Sequence, residues 1–118
     1  MTSDPVPCLN AIETHVFESF KAFGQRVYEE AGVEDVNIYP VSKQNGFAQI
    51  SLSFYRPGDA DDSSIVFSCT NAGSMVVSMF IAGDPCNSPA APATVTREWV
   101  DDTVAAFVRS VFERPAAF

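Results

Sequence analysis

The stretch FAQISLSFY at residues 47–55 is followed by SIVFSCT at 64–70 and MVVSMFI at 75–81. Within each run every second side chain is apolar, so a strand made from it would have one aliphatic or aromatic face. A Pro-Gly pair with three aspartates separates the first two runs, and an Asn-Ala-Gly turn separates the others. Such residues are typical of hairpin loops. The pattern therefore predicts three antiparallel strands that share one apolar face.

A fourth strand is predicted on the N-terminal side of these three. Residues 36–39 form a short β-like run that Pro40 limits, because proline cannot donate to a strand ladder and is tolerated at a sheet edge. The pair Asn45-Gly46 that follows is typical of a two-residue hairpin turn. This strand is therefore expected to pair with residues 47–55.

One helix-like segment lies on each side of the strands. Apolar residues recur at steps of three and four over residues 9–27 and again over residues 99–112, which is the period of an amphipathic helix. Asn10 is the predicted cap of the first helix, and Thr94 or Thr96 that of the second. The apolar sheet face needs cover, and these two helices are the obvious source of it.

Together these elements predict one α+β domain over residues 1–118, with an irregular lead-in at residues 1–8. The expected order is α-β-β-β-β-α, a two-layer arrangement in which the N-terminal and C-terminal helices lie on one face of a four-stranded antiparallel meander. A chain of 118 residues with 47% hydrophobic residues is long enough to bury a core. It has no apolar run of about 18 residues, so no membrane span is predicted and a cytoplasmic location is expected.

The charge of the chain excludes some partners. Fifteen acidic and seven basic residues give a formal charge of −8. Direct binding of nucleic acid needs a basic stripe, which this composition does not provide. The same acidity fits a protein partner with a basic surface, or simply solubility.

The cysteines are odd in number and widely spaced, at Cys8, Cys69 and Cys86. This spacing predicts a reducing compartment, without a disulfide framework or a zinc site. Cys69 falls on the predicted apolar face and is interpreted as a small core side chain. Cys8 and Cys86 lie in proline-bearing segments and are interpreted as exposed thiols.

No residue pattern indicates catalysis, so the chain is predicted not to be an enzyme. The single histidine, His15, lies on the first helix, and no serine or cysteine stands in a nucleophile-elbow sequence. The aspartates at 59, 61 and 62 lack the central glycine and terminal glutamate of a calcium loop. No catalytic residue, cofactor or metal site is therefore predicted.

The remaining signal is a set of candidate partner-binding residues. The acidic candidates lie in the loop after residue 55 and at the start of the second helix, and the aromatic candidates lie on the second face of the sheet. They are Asp59, Asp61, Asp62, Glu98, Asp101, Asp102, Phe47, Tyr55 and Phe80. If the acidic groups share one side, they could imitate a row of phosphates and occupy a basic groove. The chain would then inhibit or neutralise a nucleic-acid-binding protein, as anti-CRISPR proteins do; the comparison is one of class, since no motif carries it.

Two other functions fit the same residues. A homodimeric chaperone or scaffold could use Phe47, Tyr55 and Phe80 on the second sheet face, or the last helix, for self-association. A small-molecule pocket could instead lie between the sheet and the helices, lined by some of the ten phenylalanines. Aromatic residues at helical spacing are, however, more often core residues than pocket linings.

Overall fold

The structure is a computed structural model that describes residues 11–31, 34–44, 47–56, 61–69, 74–86, 90–92 and 94–113. The first helix starts with a π-helical turn, Ile12–Val16, and continues as helix α1, Phe17–Ala31. Five strands follow, namely β1 (Glu34–Gln44), β2 (Phe47–Tyr55), β3 (Ser63–Cys69), β4 (Met75–Ile81) and β5 (Asp84–Cys86), and then helix α2 (Arg97–Glu113). The predicted lead-in at residues 1–8, the predicted cap Asn10 and the candidate Asp59 lie outside the described residues.

The strands form one antiparallel sheet in the order β1-β2-β3-β4-β5. The predicted meander with flanking helices is confirmed, but the predicted number of strands is wrong. The additional strand is β5, in which Asp84 pairs with Ile81. Ala82 and Gly83 both have positive φ, 50° and 86°, as a tight two-residue hairpin turn requires. The proline of β5 is tolerated because the strand is at the sheet edge.

One face of the sheet, the inner face, is buried under both helices. Burial alternates along β3, so that Ile65, Phe67 and Cys69 are buried and the residues between them are only half-buried. Phe67 meets Phe20 of α1 edge-on at 5.7 Å and Trp99 of α2 at 6.1 Å between ring centroids. The helices therefore cover the same face, as the sequence predicts. Their fully buried contributions include Ile12, Val16, Phe20, Val100, Val104, Phe107 and Val111.

The second helix has the predicted type of cap. The Trp99 backbone N–H donates a hydrogen bond of 3.2 Å to the Thr96 hydroxyl, and the Val100 N–H donates to the Thr96 carbonyl at 3.1 Å. Thr96, rather than Thr94, therefore satisfies an orphan donor of the first turn.

The C-terminal turn of α2 is attached to the sheet by a buried arginine that follows β2. Arg56 follows β2 at an inner-face position and is only 7% exposed. Its guanidinium donates to the Val111 carbonyl at 2.5 Å, one of the carbonyls that has no partner within the helix. Beside it, Phe54 stacks on Phe112 with the rings 9° from parallel. The end of β2 and the end of α2 are thus joined.

The cysteines differ from the prediction. Cys69 is buried, as expected, but it is disulfide-bonded. Cys86 is a free, half-buried thiol, so it is not the partner, and Cys8 lies outside the described residues. Linear spacing shows only cysteine pairs that are close in sequence, whereas a disulfide needs closeness in space. The structure therefore has a disulfide at Cys69, where the sequence predicts a small core side chain and no disulfide framework.

Candidate functional site

Three aspartates converge at the end of the sheet where β3 begins. The Gly83 N–H donates a hydrogen bond of 3.0 Å to the Asp62 carbonyl. Gly83 also approaches Asp61 so closely that a Cβ on the glycine would lie 3.0 Å from the Asp61 Cβ. Asp84 is the next residue along the chain and is exposed, as is Asp61. We call Asp61, Asp62 and Asp84 the acidic end of the sheet. Asp84 is not among the sequence-predicted candidates, because the sequence Gly-Asp-Pro at 83–85 is typical of the end of a strand.

Tyr55 and Phe80 lie at this same end, on the sheet face opposite the two described helices. Phe80 pairs with Ser64, which in turn pairs with Ser53. Tyr55 lies two residues beyond Ser53 on the same face, at the end of β2, and is 37% exposed. Two of the predicted aromatic candidates therefore adjoin two of the predicted acidic ones.

Phe47 is not part of this arrangement. Its backbone pairs with Gln44 at the opposite end of β2. A nine-residue strand is roughly 26 Å long at about 3.3 Å per residue. The Phe47 side chain lies outside what the structure describes.

The middle of the face opposite the helices has a small group of apolar side chains surrounded by serines. Val66 pairs with Ser51 and Ser78, and Val76 and Phe80 are its diagonal neighbours on β4. Val76 is 47% exposed. The flanking serines are Ser51, Ser64, Ser68 and Ser78. We call this surface, together with Tyr55, the open face.

The second acidic group lies far from the acidic end of the sheet. Glu98, Asp101 and Asp102 occur where α2 begins, next to Trp99, which contacts the middle of β3 through Phe67. The other end of α2 is fixed beside β2 by Arg56. At about 1.5 Å per residue, Glu98 and Val111 are roughly 20 Å apart along this helix. The structure therefore does not bring the two predicted acidic groups together.

Asp101 is also engaged within the chain. The Arg97 guanidinium donates to its carboxylate at 2.8 Å, one helical turn away. Partial burial raises the pKa of Asp101, but the Arg97 hydrogen bond, the nearby Ser19 hydroxyl and the charges of Arg97 and Arg26 outweigh it and hold the pKa below its ordinary value. Asp101 is thus ionised and partly neutralised at pH 7. Glu98 and Asp102 are exposed.

A groove between helices α1 and α2 is a further concave feature. It is open to solvent and has a volume of about 330 Å³. Its lining residues are Phe23, Arg26, Val27, Ala105, Val108, Arg109 and Phe112. The helical period predicts the apolar face of each helix, but it does not show that these side chains meet across the helix pair.

The described residues contain no group of three or more His, Cys, Asp or Glu side chains that could hold a metal ion. His15 lies half-buried in the π-helical turn. None of the described helices is long and apolar enough to cross a membrane. Comparisons with protein-family models, curated proteins and solved structures give no match.

Proposed function

We propose that the protein is a non-enzymatic binding protein that inhibits or neutralises a protein partner with a basic surface. The supporting observation is that Asp61, Asp62 and Asp84 adjoin Tyr55 and Phe80 at one end of the sheet. Aromatic side chains supply much of the binding energy at protein interfaces, and a rim of acidic groups selects and orients a basic partner. The partner would contact the open face at its acidic end.

The charge of the chain favours this kind of encounter. A formal charge of −8 steers a basic protein toward the molecule over distances up to the Debye length, about 10 Å at 0.1 M salt. A basic groove that ordinarily holds phosphates would accept the three carboxylates of the acidic end. Inhibition would then follow from occupation of that groove, in the manner of the anti-CRISPR class.

The test is affinity capture from the native host at low salt with two matched variants. Asp61→Asn with Asp62→Asn removes two charges from the acidic end, and Glu98→Gln with Asp102→Asn removes two charges from the start of α2. We expect the first variant to lose a partner that the wild type and the second variant both retain, and we expect added salt to release that partner. Equal loss in both variants would show that net charge alone binds the partner.

A second candidate, a homodimeric chaperone or scaffold, is favoured by the contiguity of Val66, Val76 and Phe80 on the open face. Stable dimers bury about 800 Å² on each subunit, so this apolar group would have to be the centre of a larger interface. Sedimentation of the pure protein, compared with Val66→Ser and Val76→Ser, separates the candidates. A dimer that these changes dissociate supports the scaffold; a wild-type monomer removes it.

A cytoplasmic location, which the sequence predicts, is one of two candidate locations. The disulfide at Cys69 favours an oxidising compartment instead, because reducing compartments keep most thiols free. The redox state of Cys69 in protein taken directly from its host decides between the two locations.

A further inference from the structure

The groove between α1 and α2 combines an apolar lining with two arginines. Val27 is 4% exposed, and the half-buried Phe23 and Val108 pack against the core. Arg26 and Arg109 are exposed at the same groove. Arg26 and Arg109, two of the seven basic residues in a chain with a formal charge of −8, therefore line one groove.

Neighbouring acidic groups do not neutralise these arginines by direct contact. On α1, Glu18 pairs with Lys21 at 3.0 Å, and Glu29 accepts a hydrogen bond from Gln25 at 3.2 Å. On α2, the Asp101 carboxylate is held by Arg97, and it also attracts the charge of Arg26 without a hydrogen bond to it. In the part of the chain that the structure describes, neither guanidinium at the groove takes part in an ion pair or a hydrogen bond.

Arg26 is held at the groove by an aromatic ring. Its guanidinium carbon lies 5.2 Å from the centroid of the Phe23 ring, a cation–π distance. This contact leaves the N–H donors of the guanidinium available at its edge. The groove thus has the Arg26 guanidinium beside an apolar surface.

We propose that this groove binds a small carboxylate with an apolar body, of the class of medium-chain alkyl or aryl acids. The body packs against Phe23, Val27 and Val108, and the carboxylate accepts hydrogen bonds from Arg26 and Arg109. Guanidinium and carboxylate match in geometry and charge, and such bonds are among the stronger ones in proteins. A volume of about 330 Å³ lies at the lower end of the range for small-molecule sites, which suits a ligand of this size.

The experiment is a titration followed by NMR chemical shifts, with octanoate and 1-octanol as a matched pair of probes. The two probes have the same chain and differ in charge, so their comparison isolates the arginines. We expect octanoate to bind about tenfold more tightly, as one charged hydrogen bond requires. A parallel titration with 3-phenylpropanoate distinguishes an aryl from an alkyl body. Equal affinity for octanoate and octanol, or no binding of octanoate below its micelle concentration, would overturn the proposal.

Three variants locate the binding. Arg26→Gln and Arg109→Gln together should remove the preference for octanoate. Lys21→Gln is the matched control, because Lys21 also lies over an aromatic ring of α1, at 4.9 Å from the Phe17 centroid, but does not line the groove. Ala105→Phe fills the groove without changing charge and should abolish binding of both probes. Unchanged octanoate binding by the double arginine variant would contradict the assignment.

This proposal is independent of the proposed partner binding, since the groove and the open face share no residue. A chain that binds octanoate but captures no partner supports only the groove. The reverse result supports only the acidic end of the sheet.

Discussion

The two faces of the sheet are built from the same strands but are in different environments. Along β3, Ile65 and Phe67 on the inner face are completely buried, whereas Val66 and Ser68 between them remain half-buried. Both described helices cover the inner face, and neither of them covers the open face. Because side chains alternate along a strand, those on the inner face stabilise the fold, whereas those on the open face can contact a partner.

The largest expected effect comes from adjacent residues on opposite faces. Phe67→Ala should lower the free energy of unfolding by about 3–5 kcal/mol, because it removes a fully buried ring that contacts Phe20 and Trp99. Val66→Ala should cost no more than about 1 kcal/mol. Urea denaturation of the two variants measures both values. Similar losses at the two positions would mean that the open face is covered in solution, for example by a second copy of the chain.

The next effect concerns Cys69 on the inner face and Cys86 at the sheet edge. The chain has three cysteines, and a disulfide within the chain uses two of them. Because Cys86 is free, unfolded protein kept from reductants should show one free thiol. Reduction should then lower the free energy of unfolding by about 2–4 kcal/mol. Cys86→Ser serves as the control and should leave stability nearly unchanged. Three free thiols before reduction would contradict the disulfide.

A smaller effect is expected from Arg56, the charged residue of the inner side. Arg56→Met keeps the length of the side chain but removes the donor to the Val111 carbonyl, and should cost about 2 kcal/mol. Hydrogen exchange should accelerate most in the last turn of α2. Arg97→Met is the matched control, since Arg97 is 42% exposed and its ion pair lies on the surface. An equal loss in the free energy of unfolding for both changes would show that the buried Arg56 contact stabilises the fold no more than the surface pair of Arg97.

The sequence was sufficient for the features that depend on local pattern. Alternation identified the inner face, and the threonine cap and apolar period located α2. β5 was missed because Asp-Pro-Cys is too short to show a period and becomes a strand only by pairing with β4. The contact of Arg56 with Val111 spans 55 residues and leaves no local signal.

The sequence predicts which residue types could form the candidate site, but not where those residues lie relative to one another. Asp61, Asp62, Tyr55 and Phe80 could be named from residue type, but only the strand register shows that they share one end of the sheet. The start of α2 is equally acidic in sequence, and nothing local indicates that it lies roughly 20 Å away. The groove between the helices depends on how α1 and α2 pack, which no single segment encodes.

The smallest expected change in stability distinguishes Asp101, whose carboxylate is paired with Arg97, from its neighbour Asp102. Because the pKa of Asp101 is lower in the folded than in the unfolded chain, the folded state prefers the ionised form. This contribution is present above the unfolded pKa and disappears as the pH falls through the folded value. Asp101→Asn should therefore cost about 0.3–0.5 kcal/mol at pH 7, the usual value of an exposed helical pair, and nothing in strong acid. Asp102→Asn is the control. It should show no such pH dependence if the stabilisation comes from pairing with Arg97 and not from a position near the start of the helix.

Urea unfolding of both variants across the acidic range measures the difference in their free energies of unfolding. Parallel curves for Asp101→Asn and Asp102→Asn would assign the stabilisation to the helix dipole, which acts on both residues.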